Sequence, residues 1–180
     1  MADATASKPE TWTRWVALSM AIMAVMAGVI TLYMGKFSGK AVMLQGKITN
    51  QWGYYQAKSI KQHTYEMQRQ QLELATLERG ATWTEEIRSN YTAAVAYSKK
   101  MLGKYEKEKD EIKADGEKME KQRDDAQARG GKLSLSLIFA QIAIMLSSVT
   151  LITKKKPLWF CGMALMLVSL WYVGVAFGVL

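Results

Sequence analysis

A chain of 180 residues with 24 Lys+Arg, 16 Asp+Glu and a formal charge of +8 has the length of one soluble domain. The placement of its charges is at odds with that reading. Of these residues, 19 basic and 14 acidic lie between Lys36 and Lys132, while Trp15 to Met34, Leu133 to Thr153 and Pro157 to Leu180 carry no charge for 20, 21 and 24 positions.

Residues 1–14 read as an N-terminal interfacial segment. Ser7-Lys8-Pro9-Glu10 fits a capping box with proline tolerated in the first turn. Trp12 and Trp15 suit an interfacial aromatic belt, with Tyr33 and Phe37 at the far side. Residues 15–34 are predicted to be the first transmembrane helix, because an uncharged run of this length crosses about 30 Å of hydrocarbon. A cleaved signal peptide has an apolar region of roughly 7–15 residues and a small-x-small cleavage site. This run is longer and ends Leu32-Tyr33-Met34-Gly35-Lys36, so a retained span is expected.

Residues 35–132 are predicted to form a long antiparallel, coiled-coil-like helical hairpin outside the bilayer. Leu44, Ile48, Trp52 and Tyr55 recur at helical spacing. Ile60, Met67 and Leu74 then follow seven apart, so the seam is expected to change phase near Ile60, with a bend or a new packing partner. Gly80 reads as a terminator and Thr82-Trp83-Thr84-Glu85 as a second capping box with Thr82 as cap, which places the turn near 79–82. The second arm carries Tyr91, Ser98, Tyr105, Ile112, Met119, Ala126 and Leu133 at strict seven-residue spacing, the signature of a coiled coil. The positions three residues on, Glu108, Asp115, Gln122 and Arg129, are polar, so the seam is expected to be thin. At 1.5 Å per residue the arms project on the order of 65–75 Å.

Gly130-Gly131 reads as a hinge before the second span, residues 133–153. Lys154-Lys155-Lys156 is expected at that helix's C-terminal end, where the dipole favours cations, and Pro157 starts the third span, residues 157–180. The fold class is therefore all-α, with three transmembrane helices and the hairpin between the first two. Positive-inside reasoning puts the short triple-lysine loop in the cytoplasm and the hairpin in the periplasm, although Lys36, Lys40, Arg129 and Lys132 flank the spans on the hairpin side.

The candidate functional residues divide by chemistry. Lys36, Lys40, Lys47, Lys58 and Lys61 form a basic stripe, of which Lys36 and Lys40, together with Lys132, are the candidates for lipid headgroups. Most such stripes are solvated faces. Trp52, Tyr54, Tyr55 and Tyr65 near these lysines resemble a single-strand nucleic-acid platform in composition, but their helical spacing fits packing between stalks better, and no nucleic-acid partner is expected. Met20, Met23 and Met26 have soft thioethers suited to Cu(I), yet Met is also a core filler and no His or paired Cys assists. One cysteine, Cys161, and one histidine, His63, give neither an intrachain disulfide nor a zinc cluster. Ala17, Ala21, Ala24 and Gly28 in the first span and Gly174-Val175-Ala176-Phe177-Gly178 in the third let helix backbones approach; Gln141 is expected to hydrogen-bond another helix. No acid or base lies within a span, and no nucleophile, phosphate-loop or metal motif is present, so no catalytic residue, metal or cofactor is expected.

The stretch Thr49-Asn50-Gln51-Trp52-Gly53-Tyr54-Tyr55-Gln56-Ala57-Lys58-Ser59-Ile60-Lys61-Gln62-His63 resembles a bacterial family known as domain of unknown function 4337. Tyr105-Glu106-Lys107-Glu108-Lys109 and Gln141-Ile142-Ala143-Ile144-Met145-Leu146 with the lysine run are similar to it too. The resemblance covers nearly the whole chain. It implies a bacterial inner-membrane protein and supplies no activity.

The expected function is a non-enzymatic, oligomeric scaffold or accessory subunit in contact with the lipid bilayer. Assembly is expected through Trp52, Tyr55, Ile60, Met67, Tyr105, Ile112 and Met119, and helix packing in the membrane through Ala17, Ala21, Gly28, Gln141, Gly174 and Gly178. A small channel or pore-forming protein, with the first or second span lining the pore, is one alternative; Ser134, Ser136, Gln141, Ser147, Ser148 and Thr150 make the second span the most polar, though not in one clean stripe. An accessory subunit of a larger respiratory or transport complex is the other.

Overall fold

The computed structural model describes residues 11–178, and the capping box foreseen at Ser7–Glu10 lies outside them. The described residues form three α-helices and one 3-10 turn, with no strand among them: α1 (Thr11–Arg79), the turn Gly80–Thr82, α2 (Glu85–Thr153) and α3 (Lys156–Phe177). Each helix contains a stretch long and apolar enough to cross a membrane. The chain divides into two compact units. A three-helix unit combines α1 as far as Val42, α2 from Arg123 onward and α3; a two-helix unit comprises Met43–Gln122.

Both 69-residue helices run unbroken through their glycines. An interior glycine costs a helix roughly 1 kcal/mol relative to alanine. Burial along one face offsets it, while Thr31, Thr49, Thr64 and Thr76 satisfy their hydroxyls within α1, each donating to the carbonyl four residues earlier at 2.8–3.0 Å. The expected hinge at Gly130-Gly131 is absent. α2 continues through it, and Gly130 is buried, where an added Cβ would stand 3.5 Å from Ser38 Oγ and 3.7 Å from Phe37 Cβ. Here glycine serves close approach of helix to helix.

The turn between α1 and α2 lies where the sequence places it, but its cap is displaced by two residues. α2 starts at Glu85, and Arg88 N–H donates to Thr84 O at 3.1 Å, which makes Thr84 the capping position. Thr82 Oγ1 instead donates to Arg79 O at 2.8 Å, closing the 3-10 turn. Glu85 and Glu86 in the first turn complement the dipole of α2. Arg88 Nη2 reaches back to Gly80 O at 3.2 Å, and the Trp83 and Tyr91 rings lie 4.1 Å apart.

The triple lysine also differs from expectation. α2 ends at Thr153 with no basic residue in its last turn. Lys154 leaves the helix at φ +54°, in the left-handed region, while its N–H still donates to Thr150 O at 2.9 Å. Lys155 is extended and caps α3, and Pro157 sits in the first turn of α3, where its missing N–H costs nothing. Gly178 closes α3 at φ +72°, its N–H directed to Gly174 O and Val175 O.

Candidate interaction surfaces

Within the two-helix unit, α1 presents Leu44 and Ile48, both buried, and then Gln51, Tyr55, Lys58, Gln62, Tyr65, Arg69 and Leu72, all half-buried, toward α2. The row keeps its phase, so the expected shift near Ile60 does not occur. It becomes polar instead, and Gln51, Lys58 and Gln62 are met by α2, whereas Arg69 Nη1 lies 3.8 Å from Glu73 Oε1 of its own helix. Gln51 Nε2 donates to Ile112 O at 3.3 Å, and Trp52 Nε1 to Glu120 Oε1 at 3.0 Å. Lys109 Nζ donates to Gln62 Oε1 at 2.9 Å and lies 5.1 Å over the Tyr55 ring. Tyr65 stacks on Tyr105 at 5.8 Å and meets Tyr97 edge-on at 6.2 Å.

From α2 the strict heptad is the buried stripe: Ser98, Tyr105, Ile112 and Ala126 are buried, Tyr91 and Met119 half-buried. Its companion row lies four residues on from it, not three. Glu108 is half-buried and Asp115, Gln122 and Arg129 are exposed, whereas Lys109 is half-buried and Gly116 buried. Gly116 gives room to Trp52, whose ring atoms would stand 3.6 and 3.7 Å from an added Cβ.

Lys58 is the electrostatic centre of this seam. Its Nζ stands 2.7 Å from Glu108 Oε2 and lies 5.1 and 5.4 Å over the Tyr54 and Tyr105 rings. The hydrogen bond from Lys58 holds the Glu108 carboxyl below the ordinary carboxylate range, and the same bond raises the Lys58 ammonium above its ordinary value. A carboxylate lowered on folding stabilises above its unfolded pKa and loses that contribution as pH falls through the folded value; a lysine raised on folding loses its contribution only as pH rises through the raised value. The pair therefore stabilises between roughly pH 5 and pH 10. Glu108→Gln is expected to flatten the acid limb of a melting-temperature profile below about pH 5. Circular-dichroism melts across pH measure this, and an acid limb equal to that of the unmodified chain removes the pair as its cause.

Of the seven residues expected in the assembly seam, Trp52, Tyr55, Tyr105, Ile112 and Met119 are buried or half-buried within the chain's own pairing. Ile60 and Met67 are 67% and 59% exposed and take no part in it. Sequence periodicity follows apolar residues and so passed over Gln51, Lys58 and Gln62, which form the actual row.

The three-helix unit has a mixed interior, in which four hydroxyl residues (Ser136, Ser147, Thr150 and Ser169) lie among apolar side chains, and an apolar outside. Leu133, Ala140, Ala143, Ser136, Ser147 and Thr150 of α2 are fully buried, as is Ser169 of α3, while Leu18, Val25, Leu32, Ile152, Phe160 and Leu167 are exposed. Ser136 Oγ donates to Ser169 O at 2.9 Å and Ser169 Oγ to Ser136 O at 2.8 Å. Ser147 Oγ donates to Ala143 O at 2.8 Å and lies 3.9 Å from Met23 Sδ. Trp159 Nε1 donates to Ser19 Oγ at 3.1 Å. Val16, Met23 and Ile30, seven apart, are the buried positions of α1 here.

The small residues expected to pack do so only in part. Ala17, Ala21 and Gly28 are exposed, with nothing within 4 Å of a Cβ at Gly28; Gly174 is half-buried, and Gly178 is the helix cap. The close approach is at Gly162, which sequence reasoning missed, where an added Cβ would stand 3.1 Å from both Ala143 O and Ser147 Oγ. Gln141 is exposed as well. With Ser134 and Ser148, seven residues to either side and likewise exposed, it makes a polar row on the outer side of α2, separate from buried Ser136, Ser147 and Thr150. The polar residues of this stretch thus form two rows. Lys36 and Lys40 are exposed and Lys132 is half-buried; the Tyr33 and Phe37 rings meet Phe177 at 5.4 and 6.2 Å.

His63 Nδ1 lies 3.4 Å from Glu66, and among the described residues no cluster of His, Cys, Asp and Glu has the makings of a metal site. The family model described as "Domain of unknown function (DUF4337)" matches residues 12–179. No curated protein and no solved structure matches the chain.

Proposed function

From the premise that the chain belongs to the DUF4337 family, we propose that it is a non-enzymatic, oligomeric scaffold or accessory subunit of the bacterial inner membrane. Three spans anchor it, and an antiparallel coiled-coil hairpin, formed by the Met43–Gln122 unit on the periplasmic side, mediates assembly. Two features support insertion in a bilayer. Large apolar side chains such as Leu18, Val25, Leu32, Ile152, Phe160 and Leu167 cover the outside of the three-helix unit, where a water-soluble protein would place polar ones, while four hydroxyl residues and several small residues share its interior with Val16, Met23, Ile30, Leu133 and Met166. Small residues and interhelical hydroxyl bonds are also what holds helices together where lipid is as apolar as leucine. Exposed Lys36 and Lys40 beside the Tyr33–Phe37–Phe177 rings suit a headgroup layer.

The observation that carries oligomerisation is the outward row Ser134, Gln141 and Ser148. A carboxamide facing hydrocarbon is costly unless another helix meets it. A second copy of the same span supplies that partner. Extraction in mild detergent followed by native mass measurement is expected to give particles of more than one copy, with fewer after Gln141→Leu. Particles of a single copy only, together with no crosslinking in native membranes, sink the scaffold reading. The same row also favours a second reading, a small channel lined by α2. Unitary currents from the purified oligomer that change with Gln141→Leu identify it. A reporter fused near Gly80 fixes the side of the hairpin.

A further inference from the structure

The two arms of the hairpin unit differ in what they show to solvent. Between residues 43 and 79, α1 carries 8 charged residues in 37; between 85 and 122, α2 carries 18 in 38. α2 therefore has the surface of a helix that stands in water. α1 does not. Ile60, Met67 and Leu74, seven apart, are 67%, 59% and 56% exposed, and Leu77 is 84% exposed. In a heptad frame these lie opposite Lys58, Tyr65 and Leu72, the residues turned to α2. A shallow groove of about 550 Å³ runs along this face, lined only by α1 residues: Ile60, His63, Thr64, Glu66, Met67 and Gln70.

We propose that this face of α1 is a parallel, two-fold contact with the same face of a second copy. The inference rests on the scaffold reading and adds which surface joins the copies. The seven-residue period demands a helix as partner, because only a helix repeats its apolar positions at that step. Charge selects a second copy. In a parallel two-fold contact each core position meets its own counterpart, so a Lys or Glu there faces its like; the core positions Gly53, Gln56, Ile60, His63, Met67, Gln70, Leu74 and Leu77 include neither. Copies inserted in one bilayer emerge on the same side with α1 running in the same direction, so Ile60, Met67 and Leu74 meet in register. Area sets the strength. Two to three heptads bury roughly half of the about 800 Å² per partner that a standard interface needs. The contact is therefore weak between free molecules and is completed by confinement in a shared membrane, which raises effective concentration.

The test uses the full chain with Cys161→Ser, reconstituted in vesicles. Ile60→Cys and Met67→Cys are expected to give at least tenfold more disulfide-linked dimer under mild oxidation than Lys113→Cys on the charged face of α2. The double variant Ile60→Asp/Met67→Asp is expected to lower dimer at least tenfold, with helicity retained because both positions are exposed in the single chain. Equal crosslinking at position 113, or dimer undiminished in the double variant, overturns the proposed face. If such variants still form oligomers by native mass, the scaffold reading stands without this contact; if the unmodified chain shows none, both fall.

Discussion

Ile112→Asp is expected to unfold the Met43–Gln122 unit, whereas Met67→Asp is expected to leave it folded. Both residues belong to the one assembly seam that the sequence predicts. Ile112 is 7% exposed, and its carbonyl accepts the hydrogen bond from Gln51 Nε2. A carboxylate at that position loses the burial of the isoleucine and adds an unpaired charge between two helices. The combined cost is on the order of 4 kcal/mol or more. Met67 points away from α2, so an aspartate there is solvated and shifts stability by about 0.5 kcal/mol or less. Circular dichroism and limited proteolysis separate the two outcomes. Ile112→Asp loses helicity and is cut within residues 43–122, while fragments from the three-helix unit persist. Retained helicity and unchanged cleavage in Ile112→Asp show that the residue is not held between the arms as described.

The contrast between these positions shows what the sequence made legible. On α2 the row from Tyr91 to Leu133 is apolar or small at every seventh residue, so its periodicity and its burial coincide. On α1 the row toward α2 passes through Gln51, Lys58 and Gln62, and its register is carried by hydrogen bonds to Ile112 O, Glu108 and Lys109. A reading keyed to apolar residues followed Ile60, Met67 and Leu74 onto the opposite face. Glycines were equally ambiguous. Gly130 reads as a hinge from composition, but its role is the approach of Ser38 and Phe37 to α2, a contact between residues ninety-odd positions apart in the chain. Span-length apolar runs needed no partner to be recognised, because length and absence of charge are properties of the segment itself. Which side of each run packs inside the chain is a property of the neighbouring helices. Ala17, Ala21 and Gly28 satisfy the small-residue rule and face outward, while Gly162, with Leu158 and Met166 four positions to either side, makes the tightest of the glycine contacts.

Gly162→Leu is accordingly expected to damage the three-helix unit far more than a leucine at any glycine the sequence marks for packing. The Cβ alone would sit 3.1 Å from a backbone carbonyl, Ala143 O, and 3.1 Å from Ser147 Oγ. The serine hydroxyl can rotate, though it is already committed to Ala143 O at 2.8 Å. The carbonyl is fixed in α2 and cannot yield without moving the helix. Room for a leucine therefore comes from separating α2 and α3. That separation strains the reciprocal bonds between Ser136 and Ser169, seven residues further along α3. Overpacking of this kind costs about 3 kcal/mol, equivalent to a melting temperature lower by roughly 6–12 °C for a chain of this size. Gly162→Ala adds only the Cβ and gains back about 1 kcal/mol of helix propensity, so its loss is smaller. Gly28→Leu is the internal control, since nothing lies within 4 Å of its Cβ, and its melting temperature is expected to match the unmodified chain. Heating in detergent followed by size-exclusion chromatography measures all three. Equal loss in Gly28→Leu and Gly162→Leu assigns the damage to leucine in any span; loss confined to Gly162→Leu places the contact that holds α3 to α2 at this glycine.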